Sequence, residues 1–464
     1  LAHLSPLDGQ RALAHKLSDS GARVLVTSNL AALLPTALKL FDKGLLDRVI
    51  VCDDEAWGSV GNALAELPEH PAIVRWRDFV THAAMPAQWP SVAPDDVALL
   101  QYTGGTTGLP KGAMLTHKNL TSAVGIYEVW SAPSRAERGV IERVICVLPL
   151  FHIYALTVIL LRCIKTGDLI SLHQRFDVAA VLRDIEVKRA TAFPGVPTMW
   201  IALANDPSLP DRDLSSLASA GSGGAPLPVE VARLFEKKTG LALKSGWGMT
   251  ETCSPGTSHP TEGPDKPGSI GLQLPGIELD VVALDDPTRA LPPGEVGEIR
   301  IRGPNVTPGY WNRPEETAEA FVGDRFLTGD IGFMDEDGYF YLVDRKKDMI
   351  ISGGFNVYPQ MIEQAIYEHP AVQEVLVIGV PDDYRGEVAK AFVTLRAGAQ
   401  PFSIEDLRAF LDGRLGRHEL PAAVAFVDEL PRTPVGKLSR HQLRQQAASA
   451  SPDAPQRTTT GVQQ

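Results

Sequence analysis

Between Arg23 and about Ile301 short β-branched runs alternate with amphipathic helical patterns, and this alternation restricts the fold more than any other feature of the chain. Residues 48–52, 97–102, 144–148, 190–193 and 278–282 read as strands. A helix over residues 9–20 running into a strand over 23–27 opens the pattern. Helices between successive strands predict crossover connections, and therefore an α/β fold of layered helices and largely parallel sheets. Glycines and prolines gather between the runs, where turns and ligand loops belong.

After Gly338 the texture changes. Residues 339–343 read as a strand, the charged segment 344–348 follows, and a compact unit of roughly a hundred residues completes the chain. A domain boundary is expected at that charged segment, dividing a unit over 1–343 from one over 349–446. The second unit offers strands at 375–380, 391–395 and 423–427, and Ser403 as the cap of a helix over 404–415. Residues 447–464, rich in Ser, Thr, Pro and Gln, are expected to form a disordered tail. The sequence holds no internal repeat.

Composition excludes several classes. With 464 residues, 44% hydrophobic and 22% charged, the chain can bury two or three packed units. Its 44 Lys and Arg against 56 Asp and Glu give a net charge of −12, and no long basic block could track nucleic acid or an anionic membrane. Cys52, Cys146, Cys163 and Cys253 show neither a CxxC pair nor a Cys/His cluster, which fits a reducing cytosol and argues against a thiolate zinc site. The apolar run 144–164 is broken by Pro149, His152 and Arg162, so it reads as buried strand and helix and not as an integral membrane segment.

The densest chemistry lies in Tyr102-Thr103-Gly104-Gly105-Thr106-Thr107-Gly108-Leu109-Pro110-Lys111-Gly112, directly after a strand. Glycines let backbone N–H groups approach a polyphosphate, while threonine hydroxyls and one lysine add donors and charge. It reads as a phosphate cradle. A Walker A loop needs glycine before its lysine and Ser or Thr after it, whereas Lys111 lies between Pro110 and Gly112, so an ordinary P-loop is ruled out.

Further along, Ser222-Gly223-Gly224-Ala225-Pro226 lacks the third glycine of a dinucleotide fingerprint, and Ala220 breaks the nucleophile-elbow pattern. Glu251, on the glycine-rich turn Gly246-Trp247-Gly248-Met249-Thr250-Glu251, suits a hard cation bridging phosphates, although a solvated carboxylate would serve a plain turn as well. Asp330 could accept from two sugar hydroxyls or simply shape the turn after Gly329.

Five segments in order carry a wider likeness. The loop from Tyr102, the turn Gly246 to Glu251, Phe326-Leu327-Thr328-Gly329-Asp330, Asp344-Arg345-Lys346-Lys347-Asp348 and Pro434-Val435-Gly436-Lys437 resemble the signatures of the adenylate-forming superfamily. That superfamily comprises the acyl-CoA synthetases, luciferases and peptide-synthetase adenylation domains. The resemblance implies a large N-terminal domain of layered sheets and helices (αβαβα), a hinge at 344–348 and a small mobile α+β C-terminal lid that binds AMP. It also implies ATP-dependent ligation of a carboxylic acid to coenzyme A through an acyl-adenylate, with Mg²⁺ as cofactor.

The same resemblance assigns roles. Thr103, Gly104, Gly105, Thr106, Thr107, Gly108 and Lys111 would hold phosphates, and Thr106 with Glu251 would hold the metal and assist catalysis. Gly223, Gly224 and Ala225 would lie along adenine and the acyl group, beside Gly246, Gly248, Met249 and Thr250. Trp247 takes the place of an aromatic, usually tyrosine, that stacks on adenine. Asp330 and Arg345 would bind the ribose. Lys437 would meet the developing charge when the carboxylate attacks the α-phosphorus, a contribution of roughly 3 kcal/mol or more. The C-terminal unit would swing about Lys347, exchanging Lys437 for Gly353 and Gly354, which would form a channel for the pantetheine thiol; an ordinary hairpin turn is the other reading of that glycine pair.

For the acid, residues 149–156 and 193–200 predict two apolar, aromatic walls. His152 is placed beside the bound carboxylate, with Tyr154, Phe193, Gly195, Gly224 and Ser245 around the acyl group. These segments look most like medium- and long-chain fatty acyl-CoA synthetases, then plant-type aromatic-acid ligases, and a dicarboxylic acid stays open. A phosphopantetheine carrier as acceptor and an adenylate-binding fragment without turnover are the competing readings. The family normally carries a further segment before the position of Leu1, packed beside the acyl pocket, so an N-terminally incomplete ligase is expected. A cytoplasmic setting, peripheral contact with a membrane and a homodimer are compatible with this reading.

Overall fold

The computed structural model describes residues 1–58, 61–81, 85–103, 110–138, 141–260, 263–264, 266–433 and 436–450. Its centre is a seven-stranded sheet in the order Leu272–Gln273, Thr257–Ser258, Leu243–Trp247, Ser219–Ser222, Ala192–Gly195, Arg143–Cys146 and Leu169–Leu172. The five longer strands run parallel. Helical crossovers make that possible: Val178–Val187, Pro197–Asn205 and Val229–Thr239 each connect two of them. Val181, Leu182, Trp200, Leu203 and Phe235 from these helices are buried with Val144, Ile145 and Phe193 in one apolar core. Because the parallel strands end together, their carboxyl ends form a single edge.

The parallel pattern stops there. Glu278–Val282, expected as one more strand of the alternation, pairs antiparallel with Gly297–Arg302, which pairs antiparallel with Arg325–Met334, and that in turn with Phe340–Arg345. No helix intervenes between 282 and 297, and a short connection without a crossover can join only antiparallel neighbours. A separate three-stranded parallel sheet, Val24–Ser28, Arg48–Cys52 and Ile73–Arg75, packs with the helices Gln10–Ser20 and Leu34–Asp42.

Val97–Thr103 and Lys111–Thr116 form an antiparallel hairpin in which Thr103 faces Lys111. The glycine-rich segment 104–109 joins two strands, and not a strand to a helix as a Walker A loop would.

Beyond Arg345 the chain builds its own sheet, Phe355–Val357, Ile350–Ser352, Gly386–Leu395 and Val372–Asp382, with Ala423–Phe426 added to Gly386–Leu395. Its core draws only on residues from Ile350 onward, including Ile362, Val375, Val377, Val393 and Leu407. Ser403 caps the helix Ile404–Leu411 through a capping box with Asp406. That helix is four residues shorter than its pattern suggested, because Asp412 turns to an extended ψ and Gly413 follows at a φ of +73°. Arg440–Ala450 is helical and Ala447 packs on the buried Leu376, Ile378 and Phe392, so the expected tail does not begin at 447. Residues 451–464 lie outside the described residues.

Candidate active site

A cavity of about 1240 Å³ opens at the carboxyl edge of the parallel strands, where ligands of open α/β sheets bind. Ser245 and Ser222 are register partners, as are Ser222 and Gly195, so the turns after three adjacent strands converge there. Gly223, Gly224, Ser245, Gly246, Trp247, Gly248, Met249, Thr250 and Glu251 all line it. One glycine here is sterically required and a second sits in a tight contact. A Cβ on Gly248 would fall 1.4 Å from the Ser254 carbonyl oxygen, and one on Gly223 would lie 3.0 Å from the Tyr154 ring.

Trp247 is buried, with its ring packed on Gly256, and its indole N–H donates to Asp330 Oδ2 at 2.7 Å. Asp330 faces Arg345 across the sheet and pairs with its Nε through Oδ1 at 2.8 Å. Both carboxylate oxygens of Asp330 therefore already hold a protein donor, leaving one lone pair on each for a hydroxyl. The sequence offered no sign of this role for the indole. It depends on a partner 83 positions away.

Glu251 is buried, and Tyr310 donates its hydroxyl to Glu251 Oε1 at 2.8 Å. Burial pushes the Glu251 carboxyl above its ordinary range, while the Tyr310 hydrogen bond and Arg345 pull it back. Tyr310 was passed over in the sequence, as was Glu298, which accepts from Lys346 Nζ at 2.8 Å and from the Gly329 amide at 3.0 Å. Lys111 lines the same cavity, 5.6 Å from the Tyr310 ring centre and 3.7 Å from Glu316. Thr103 lines it also. Gly104, Gly105, Thr106, Thr107 and Gly108 lie outside the described residues. Among the described residues no group of three His, Cys, Asp or Glu side chains is arranged to hold a metal.

Lys437 comes from the C-terminal unit and reaches the same place. A Cβ on Gly224 would lie 2.7 Å from Lys437 Cε and 2.9 Å from its Nζ, so the aliphatic stem rests directly on that glycine. Thr433 closes the loop by accepting from the Gly436 and Lys437 amides, and Thr198 of the N-terminal unit donates to the Gly436 carbonyl at 3.0 Å. Burial lowers the ammonium to about 8, with Arg345 adding to the fall. His152 is pushed down to about 3, first by burial and then by Lys437. Its Nδ1 accepts from the Tyr154 amide at 3.2 Å, so the neutral ring carries its proton on Nε2.

Several of the expected residues lie off the cavity lining in this arrangement. Phe193 is fully buried against Trp200, and Gly195 lies under the Trp200 indole; neither lines the cavity. Successive side chains on a strand alternate faces, so Ala192 and Pro194 take the cavity side and Phe193 the core side. The expected second aromatic wall is thus core. Ala225 is not part of the lining. Gly353 and Gly354 form an exposed two-residue hairpin turn, at φ of +57° and +86°, away from the cavity; Lys347 does line it, and burial lowers its ammonium.

A cleft at the carboxyl edge of a parallel sheet, closed by a lysine from a separately cored unit, defines an enzyme built in two parts around one ligand site. The chain belongs to the AMP-binding enzyme family: that model matches residues 1–311, and its C-terminal domain model matches 361–437. Among relatives, a long-chain-fatty-acid–CoA ligase of Bacillus subtilis (strain 168) is 40% identical over 95% of this chain and 80% of its own length. A feruloyl-CoA synthase of Amycolatopsis sp is 40% identical over 93% and 80%. Among solved structures, ATP-bound MatB from Rhodopseudomonas palustris aligns with a TM-score of 0.83 at 32% identity, covering 96% of this chain and 82% of that one. Apo MatB aligns with a TM-score of 0.71 at 32% identity over the same shares.

Proposed function

We propose that this chain ligates a carboxylic acid with an apolar body, fatty acids first among the candidates, to coenzyme A in two steps. An oxygen of the carboxylate attacks the α-phosphorus of ATP, pyrophosphate leaves, and an acyl-adenylate forms. The thiol of coenzyme A then loses its proton and attacks the acyl carbon, the acyl–oxygen bond breaks, and AMP leaves. The observation that carries this reading is Lys437 seated on Gly224, within the cavity that Glu251, Trp247 and His152 also line.

Lys437 supplies positive charge where two anions must meet. His152, neutral, donates from Nε2 to one carboxylate oxygen and leaves the other to attack. Asp330 and Arg345 hold the ribose, Trp247 flanks adenine, and Thr103, residues 104–108 and Lys111 hold phosphates. Glu251 and Thr106 would hold Mg²⁺, and one buried carboxylate suits that ion when phosphates and waters complete the shell. Bound there, the ion would neutralise phosphate charge.

The greater likeness to ATP-bound than to apo MatB supports reading this arrangement as the one that forms the adenylate. For the second step the unit after the 344–348 hinge rotates about Lys347, withdrawing Lys437 and bringing Gly353 and Gly354 to the cleft. We place the units at 1–343 and 349–450, the second closing on the helix Arg440–Ala450, and the reaction in the cytoplasm. Among the described residues no helix is long and apolar enough to cross a membrane.

The test is pyrophosphate release across short, medium, long, aromatic and dicarboxylic acids, followed by AMP release with free coenzyme A. Pyrophosphate without acyl-CoA would favour a carrier-protein acceptor. No pyrophosphate with any acid would sink the proposal.

A further inference from the structure

Outside the cavity, one buried carboxylate joins the two units. Asp344 is held in the N-terminal unit, opposite Ile331 on the strand Phe340–Arg345. The chain stays anchored to that unit through Lys346, whose amide donates to the Gly329 carbonyl at 2.8 Å and whose Nζ pairs with Glu298 at 2.8 Å. The side chain of Asp344 is fully buried. Its Oδ1 accepts from the Arg345 amide at 2.7 Å and takes Arg440 Nη1 at 3.2 Å, while Oδ2 accepts from the Gln360 amide at 2.7 Å. Gln360 lies in the first turn of the helix Pro359–Tyr367, whose N-cap, Tyr358, makes no side-chain cap. Asp344 thus caps a helix of the other unit, where an anion also suits the helix dipole.

Arg440 stands three residues past Lys437 and meets three carboxylates: Glu363 at 2.7 Å, Asp344 at 3.2 Å and Asp348 at 3.6 Å. Glu363 belongs to the C-terminal unit, where it also accepts from the Val377 amide at 2.7 Å. Asp348 follows Lys347 in the chain and pairs with Arg444 at 2.9 Å. A rotation about Lys347 carries Arg440, Glu363 and Asp348 together and leaves Asp344 behind. The guanidinium keeps two of its three anions, so the movement strands no buried cation. In the present arrangement the contact fixes the Lys437 loop from its C-terminal side, as Thr198 fixes it at the Gly436 carbonyl.

Resting on the ligase reading and its two orientations, we infer that Asp344 is a positioning residue for adenylate formation: through the Gln360 amide and Arg440 it latches the C-terminal unit with Lys437 in the cavity. It touches no substrate and acts only through Lys437. The latch belongs to the first step and is released for the second. Removing it therefore slows adenylation and spares or speeds acyl transfer, whereas a residue that merely supports the fold would slow both.

The experiment measures the two half-reactions separately in the full chain, unsubstituted and as Asp344→Asn, which keeps the size of the side chain and removes its charge. One assay follows the first turnover of pyrophosphate release without coenzyme A, with the acid that the unsubstituted protein activates fastest. The other follows acyl-CoA formation from that acid's supplied acyl-adenylate and coenzyme A. The expected result is pyrophosphate release slowed about tenfold or more, the scale of a lost charge-assisted hydrogen bond, with acyl transfer unchanged or faster. If Asp344→Asn does not melt cooperatively, Arg440→Lys, which keeps a cation beside Glu363 and loses the fork that reaches Asp344, should give the same split at smaller size. Unchanged pyrophosphate release, equal loss of both steps, or failure of both variants to melt cooperatively overturns the inference and leaves the ligase reading intact. Absence of pyrophosphate from the unsubstituted protein with every acid overturns both.

Discussion

The indole N–H of Trp247 donates to Oδ2 of Asp330 at 2.7 Å, and Arg345 holds the other oxygen of that carboxylate. That bond ties the turn from Gly246 to Glu251 to the neighbouring antiparallel sheet. Trp247→Phe keeps the ring and removes the donor. We expect KM for ATP to rise about tenfold, from the loss of roughly 1–2 kcal/mol of a buried charge-assisted hydrogen bond, with kcat less affected. Steady-state kinetics at saturating acid checks it; an unchanged KM would mean that the bond does not position the nucleotide.

Lys437→Ala should slow adenylation about a hundredfold or more, the scale seen when a donor to a developing anion is removed. Acyl transfer from a supplied acyl-adenylate to coenzyme A should survive. Equal loss of both steps would contradict the division of labour between them.

Gly224→Ala tests the same contact from the other side. At a φ of +79° its new methyl would strain the backbone and lie 2.7 Å from Lys437 Cε, so the end of the lysine side chain must shift from its contact. The variant should mimic Lys437→Ala in the first step, measured as pyrophosphate release, and the double variant should be little worse than either alone.

Lys437 also sets a pH dependence. The free enzyme's ammonium is lowered to about 8 by burial, and adenylation uses the charged form, so kcat/KM for ATP should fall as pH rises through about 8. For stability the sign is opposite. Between about 8 and the ordinary lysine value near 10.5 the unfolded chain binds more protons, so stability rises with pH across that window. Lys437→Arg should abolish both features, as judged from rate profiles and from melting against pH.

Phe193→Ala separates core from pocket. Full burial against Trp200 predicts a loss of about 3–5 kcal/mol in unfolding free energy. The ranking of acids should not change, because Ala192 and Pro194 carry the cavity face of that strand.

The sequence by itself determined the parallel α/β core, since helices between strands impose crossovers. It also determined which turns carry glycine, since Gly248 has no room for a Cβ. His152, the turn from Gly246 to Glu251 and Lys437, which all line the cavity, were picked out through the likeness of their segments to the family's signatures, since a histidine after a proline or a lysine on a glycine loop carries no such meaning by itself. Only tertiary structure decided the rest. Whether Phe193 meets substrate or core depends on which face its strand presents, and periodicity alone does not orient a strand that is buried on both sides. Tyr310 on Glu251, Trp247 on Asp330 and Arg162 on Glu142 join residues 59, 83 and 20 positions apart. Such pairings arise when separate elements pack, and no local pattern in the chain encodes them.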